Sequence, residues 1–310
     1  MNNKKIETIN KIYRLTQQDA EFNEALRKKL GTEVSESGTV VINGDRIDDI
    51  YEYCIEKVIK KQAQEFYEDF PLKSIGETLV EDFCRMESFH RKDNFGDFCL
   101  SLYQQIEYMT NKLCTNPSLS EIADKMWAYP AYIKSGKDVK PSIENRLSSD
   151  YTIAALVFPG VNRKSGAPNY IEKSRTALQN LYAMDKTRTV VYFMGFKAEM
   201  KASDYDYYVE ITNLLSDIYQ CRNTNHRGNA LFPWEEEAID RVMKVKSFSY
   251  FKFIGALTQY VEFIKKGWEE LPKMLKYAQS LPVKHLAMSG PTVLGKMEIK
   301  EEWTKKSKKK

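Results

Sequence analysis

The chain reads as a mainly α protein: a helical bundle carrying one irregular insertion. Three observations predict this. Apolar residues recur at three- and four-residue intervals over several long segments, strand-like runs are short and few, and Pro and Gly punctuate one stretch between about 116 and 168. The expected organisation is a mainly helical N-terminal region at 1–80, a helical domain at 81–270 interrupted by that insertion, and a C-terminal extension at 271–310.

Taken in order, Ile6, Ile9, Ile12 and Tyr13 give a first helical spacing that ends near Gly31. Thr39 to Ile42 followed by Asn43-Gly44 has the form of a short strand and a turn. From Asp48 the helical pattern resumes through Tyr51, Cys54, Ile55, Val58 and Ile59, and runs toward Pro71. The clearest stripe is Cys99, Leu102, Tyr103, Ile106, Met109 and Leu113, which predicts a long helix over 98–113 with Glu107 on its flank. Within the insertion, 151–158, and later 189–193, are apolar runs that fit small strands or buried helical turns equally well.

Beyond the insertion, a helix is expected over about 170–184. Another is expected over 205–219, with Tyr208, Ile211, Leu214, Leu215 and Ile218 inward and Ser203 or Asp204 as its N-cap. Pro233 followed by Trp234 and three glutamates marks a helix start, with acids where the dipole favours them. That helix is expected to reach the 248–253 region, and a last one containing Tyr260 and Phe263 to stop near Gly267.

Composition narrows the function classes. With 310 residues, 42% hydrophobic and 29% charged content and a mean hydropathy of −0.53, the chain can bury a core and has no apolar run of membrane-spanning length. The opening residues lack an apolar segment behind their lysines, so no secretory signal is expected and the cytoplasm is the default compartment. Five widely spaced cysteines without a C-x-x-C pair suit reduced, mostly buried thiols. Net charge is +4, of which +3 comes from the five lysines and two glutamates of the last ten residues. Any nucleic-acid site is therefore a local patch.

The sequence also lacks the P-loop, G-x-G-x-x-G, G-x-S-x-G and H-E-x-x-H motifs and paired Cys/His zinc spacings. No metal or other cofactor is expected. What remains is Tyr219-Gln220-Cys221-Arg222-Asn223-Thr224-Asn225-His226-Arg227-Gly228, which holds one of only three histidines. A His titrates near neutral pH, and an Arg offers a fixed fork of donors to phosphate oxygens, so the segment is suited to acid/base work on a phosphate. Its plainer reading is a helix end with cations in the last turn and Gly228 as the stop. Arg85 and His90 give a second, looser Arg-to-His spacing, whose plainer reading is again a helix end.

The Arg222-Asn223-x-x-His226 segment at a helix end, together with the long Leu102–Leu113 helix and its acid Glu107, resembles the active-site segment of the HEPN superfamily of helical ribonucleases. Three residues separate Arg222 from His226, one fewer than the family's usual minimum. The resemblance implies metal-independent cleavage of single-stranded RNA by 2′-hydroxyl attack. In it His226 transfers the proton, Arg222 stabilises the phosphorane, and Asn223 and Glu107 hold them, Glu107 by pairing with Arg222. It also implies a homodimer, unless Arg85 and His90 mark a second unit, and a toxin or anti-phage defence role with an antitoxin or defence-system partner. Arg227, Lys244 and Lys246 are the expected backbone contacts to RNA. A non-catalytic helical RNA-binding or protein-interaction scaffold is the other reading that these residues allow.

Overall fold

The computed structural model describes residues 44–129, 131, 152–162, 165–196, 204–222, 233–284 and 286, with isolated positions 14, 18, 20, 21, 24 and 25. The fold is mainly α. Among the described residues β pairing is confined to isolated bridge positions, Val161 pairing with Pro168 inside the expected insertion and Thr152 at another. The early helix over 6–31, the strand and turn at 39–43 and the C-terminal tail lie wholly or largely outside the described residues.

The first long helix among the described residues, α1 (Gly44–Tyr67), leads through a 3-10 turn to α2 (Gly76–Arg91), and α3 (Phe95–Cys114) runs back antiparallel to α2. Gly44, expected in a turn, instead opens α1. The reversal between α2 and α3 is locally encoded. Asp93 takes a left-handed φ of 53°, which lets Asn94 N–H return to Phe89 O at 3.0 Å, and the Asn94 side chain caps α3 by accepting from Asp97 N–H.

Helix α3 is the axis of the bundle, packing against α2, α4, α7, α8 and α10 as these are defined below. Phe98, Cys99, Leu102, Ile106, Met109 and Leu113 on it are fully buried. Two buried hydrogen bonds fix its neighbours. Tyr67 OH donates to Gln105 Oε1 at 2.7 Å from the α1 side, and Thr110 Oγ1 meets Tyr260 OH at 2.6 Å on the α10 side.

Part of the stretch expected to be an irregular insertion is helical. Pro117 is the first residue of α4 (Pro117–Met126), where the absent N–H is harmless, and Asn116 Oδ1 caps the helix by accepting from Ser118 N–H and Leu119 N–H. Leu119, Ile122, Ala123 and Met126 then supply a buried face against α10. The apolar run at 151–158 is also helical, as the short α5 (Ile153–Val157) capped by the Thr152 hydroxyl.

The helix expected over 170–184 is broken into α6 (Asn169–Lys173), a 3-10 turn at Leu178–Asn180 and the start of α7 (Ala183–Val190). Ser174 Oγ and Thr176 Oγ1 donate to the carbonyls of Ile171 and Glu172, a local alternative to continuing the helix, and α6 buries no residue. Helix α7 widens into a π-helical turn at Val191–Phe196 whose first four residues are fully buried.

Helix α8 (Tyr205–Cys221) follows the expected stripe, although Asp204 at its N-cap makes no capping bond with its side chain. Helix α9 (Pro233–Met243) stops short of 248, because Ser249 Oγ donates to the Val242 and Val245 carbonyls and closes the corner. Helix α10 (Lys246–Ser280) then runs for 35 residues, straight through Gly267 and Pro272. Gly267 is no stop signal: a Cβ there would lie 2.5 Å from Met194 Cα, so the missing side chain lets α10 approach the π turn. The domain boundaries expected at 80 and 270 therefore fall inside α2 and α10. Among the described residues no helix is long and apolar enough to cross a membrane.

Candidate functional site

Arg222 is the C-cap of α8 and keeps a helical backbone, φ −61° and ψ −29°. The inward stripe of α8 turns this position toward α3. There Arg222 Nη1 lies 3.6 Å from Glu107 Oε2, across helices separated by more than a hundred residues of sequence. The guanidinium also sits in the angle between two rings that meet edge to face, its Cζ 4.3 Å from the Tyr103 centroid and 4.1 Å from that of Tyr219. Those rings stand 5.3 Å apart at 69° to one another.

Helical spacing explains how two helices deliver four groups to one place. Tyr103 precedes Glu107 by four residues on α3, and Tyr219 precedes Arg222 by three on α8, so each pair shares a helix face. The two tyrosines belong to the site but not to the set expected from sequence. Their signal was those i,i+4 and i,i+3 offsets, which acquire meaning only once the faces are known to meet.

The site is shielded but open to solvent: the side chain of Arg222 is 18% exposed and that of Glu107 39%. Arg222 Nε is buried and has no hydrogen-bond partner among the described residues. A guanidinium has five N–H donors, and among the described residues the ion pair of Arg222 is the 3.6 Å contact with Glu107. Burial pushes the Tyr103 phenol above its ordinary range although Arg222 opposes the shift, so the ring is a neutral packing surface near neutral pH.

Beneath Arg222, the thiols of Cys99 and Cys221 meet in the core. Burial, then the neighbouring Cys221 thiol, raises the Cys99 pKa far above the usual thiol range. Cys54 and Cys114 are buried too, and Cys84 is half-buried, in line with the expected packing role.

The other expected residues divide. Asn223, His226 and Arg227 lie outside the described residues. Arg85 turns to α3, with Nη1 3.2 Å from Asp82 Oδ1 and 3.5 Å from Gln104 Oε1. His90 engages different neighbours: Nδ1 is 3.3 Å from Glu87 Oε2 and the ring packs on Tyr250 at 4.6 Å. Five residues of helix turn a side chain by roughly 140°, which is why Arg85 and His90 do not act on one face. His90 also contacts Phe98 near the start of α3, about 14 Å of helix rise from Glu107. Lys244 is exposed, whereas Lys246 Nζ is bound to Asp93, 2.8 Å from Oδ1 and 3.1 Å from its carbonyl.

A groove of about 720 Å³ opens between α8, α9 and α10, lined by Glu210, Asp217, Gln220, Arg241 and Lys252 among others. Asp217 is paired with Arg241 at 2.5 Å, yet burial still raises its carboxyl above the usual range. Among the described residues no group of three or more His, Cys, Asp or Glu is placed to hold a metal ion. No family model, curated protein or solved structure matches the chain.

Proposed function

We propose that the protein is a HEPN-like, metal-independent endoribonuclease acting on single-stranded RNA at Arg222. The observation that carries the reading is the guanidinium of Arg222, ion-paired to Glu107, packed against the rings of Tyr103 and Tyr219, and with Nε unpartnered among the described residues, at a partly exposed helix end. Such a group is pre-organised to stabilise charge that develops on a phosphate. In the reaction the RNA 2′-oxygen bonds to the adjacent phosphorus, and the bond to the 5′-oxygen breaks. A 2′,3′-cyclic phosphate and a 5′-hydroxyl result, with the proton moving from the 2′-oxygen to the leaving 5′-oxygen by way of His226. Asn223 orients the imidazole in this reading. Toxicity to the host cell and a defence role follow only by kinship with the superfamily.

The test is incubation of the protein with labelled single-stranded RNA, and with DNA of the same sequence, in EDTA. Arg222→Lys, His226→Ala and His90→Ala variants are run alongside. RNA cleavage that disappears with His226→Ala and persists with His90→Ala, with the DNA intact, supports the reading. Cleavage that needs added metal, or is unaffected by His226→Ala, rejects it.

A second reading is a non-catalytic scaffold, favoured by the same contacts, since a stacked and ion-paired Arg222 also fastens α8 to α3. Retained RNA binding without cleavage would select it.

A further inference from the structure

The corner between α9 and α10 divides its apolar residues in two. Tyr250 and Phe253 are buried at 4% and 1% exposure, packing on Phe95 and, for Tyr250, on Phe98 as well. Phe248 and Phe251 point away, at 59% and 69%, beside Val245 at 52% and Met243 at 45%. Single exposed apolar residues need no explanation, but four within nine residues form a patch.

Cations border the patch. Residues 240–252 hold Arg241, Lys244, Lys246 and Lys252 against Asp240 alone. Arg241 and Lys246 are engaged by Asp217 and Asp93; Lys252 lies near enough to Asp217 to favour its charged form, but neither it nor Lys244 makes an ion pair within 4 Å among the described residues. Lys252 Nζ sits 4.9 Å from the Phe248 ring centroid, and the Phe251 and His90 rings stand perpendicular with centroids 6.4 Å apart.

We infer that this corner is a binding surface for single-stranded nucleic acid, with bases stacked on Phe248 and Phe251 and backbone phosphates on Lys244 and Lys252. The inference rests on the nucleic-acid half of the reading above and not on cleavage. Residues three apart on a helix stand about 5–6 Å apart at Cβ, close enough for neighbouring bases of one strand. Paired bases in a duplex offer no free face to such rings. Insertion into a lipid surface suits the patch less well. The Asp93 carboxylate, 75% exposed and held there by Lys246 and Tyr250, would have to enter the apolar layer with the rings.

The probe is a fluorescein-labelled single-stranded DNA 12-mer, which the 2′-hydroxyl mechanism cannot cut, titrated with the full chain in EDTA. The double variant Phe248→Ala/Phe251→Ala should bind at least tenfold more weakly, at an unchanged melting temperature. Phe248→Leu/Phe251→Leu, which keeps apolar area and loses the ring faces, should be weakened as well, and Phe248→Tyr/Phe251→Tyr should bind within about twofold of the parent. Wild-type affinity in the leucine double variant overturns the inference. So does failure of the parent to bind the 12-mer, equal affinity for duplex, or Phe-dependent binding to anionic vesicles instead. Ring-dependent DNA binding by a protein that leaves RNA intact would sink the ribonuclease reading and uphold this one.

Discussion

Arg222 at the end of α8 lies 3.6 Å from Glu107 in the middle of α3, a contact that joins the last turn of one helix to the axis of the bundle. Tyr103 and Tyr219 pack against the same guanidinium from adjacent sides, so its orientation is set by two rings and one carboxylate. A lysine could match the charge but neither the stacking nor the fork.

Arg222→Lys should therefore lower single-turnover cleavage of single-stranded RNA in EDTA by on the order of 10²-fold, the scale found when one transition-state donor is removed. Tyr219→Phe keeps the ring and should stay within about threefold of the parent, whereas Tyr219→Ala should lose roughly tenfold. Full activity in Arg222→Lys would remove the residue from the chemistry.

Glu107→Gln separates orientation from stability. The pair is partly exposed, so breaking it should change unfolding free energy by less than about 1 kcal/mol in a urea titration. Cleavage should fall by a larger factor than that change in stability accounts for. A loss of several kcal/mol with no separate effect on cleavage would make the pair a structural fastening, as the scaffold reading requires.

Gly267 and Gly255 both lie within α10 and should respond in opposite directions to alanine. A Cβ at Gly267 meets Met194 Cα at 2.5 Å and Met194 Sδ at 2.6 Å, and backbone cannot step aside as a flexible side chain can. Gly267→Ala should cost about 1–3 kcal/mol, the usual range for overpacking. At Gly255 an added Cβ meets nothing within 4 Å, and Gly255→Ala should gain about 0.5–1 kcal/mol from helix propensity. Thermal melts of the two variants check both signs.

Asp82 supplies a pH test. Burial raises its carboxyl above the usual range, with Arg85 opposing the shift in part. The folded state thus binds the proton more tightly than the unfolded chain, and carries a penalty for the charged form at neutral pH. That penalty fades as pH falls through the raised folded value, and is absent below the unfolded value of about 3.9. Asp82→Asn, a neutral stand-in, should melt higher than the parent at pH 7, with the difference shrinking as pH approaches 4. A gap that widens toward acid would reverse the assignment.

The helices themselves were legible because their determinants are local. The 3.6-residue stripe of α3 and the start of α9 at Pro233 act within a few residues. Errors arose where a local signal served a distant purpose. Gly267 reads as a helix stop and is instead a contact surface for Met194, and Pro117 reads as a breaker and is instead a first residue that needs no N–H.

By itself, then, the sequence determined a mainly α chain, the inward face of its long helices and the candidacy of Arg222 and Glu107. Only the tertiary structure decided that these two meet, that Tyr103 and Tyr219 pack against the guanidinium, and that Phe248 and Phe251 stay uncovered while Tyr250 and Phe253 are buried. The physical reason is range. Periodicity and capping are set by the nearest turn of chain, but which faces meet depends on how α3, α8 and α10 cross, and no single segment encodes that crossing.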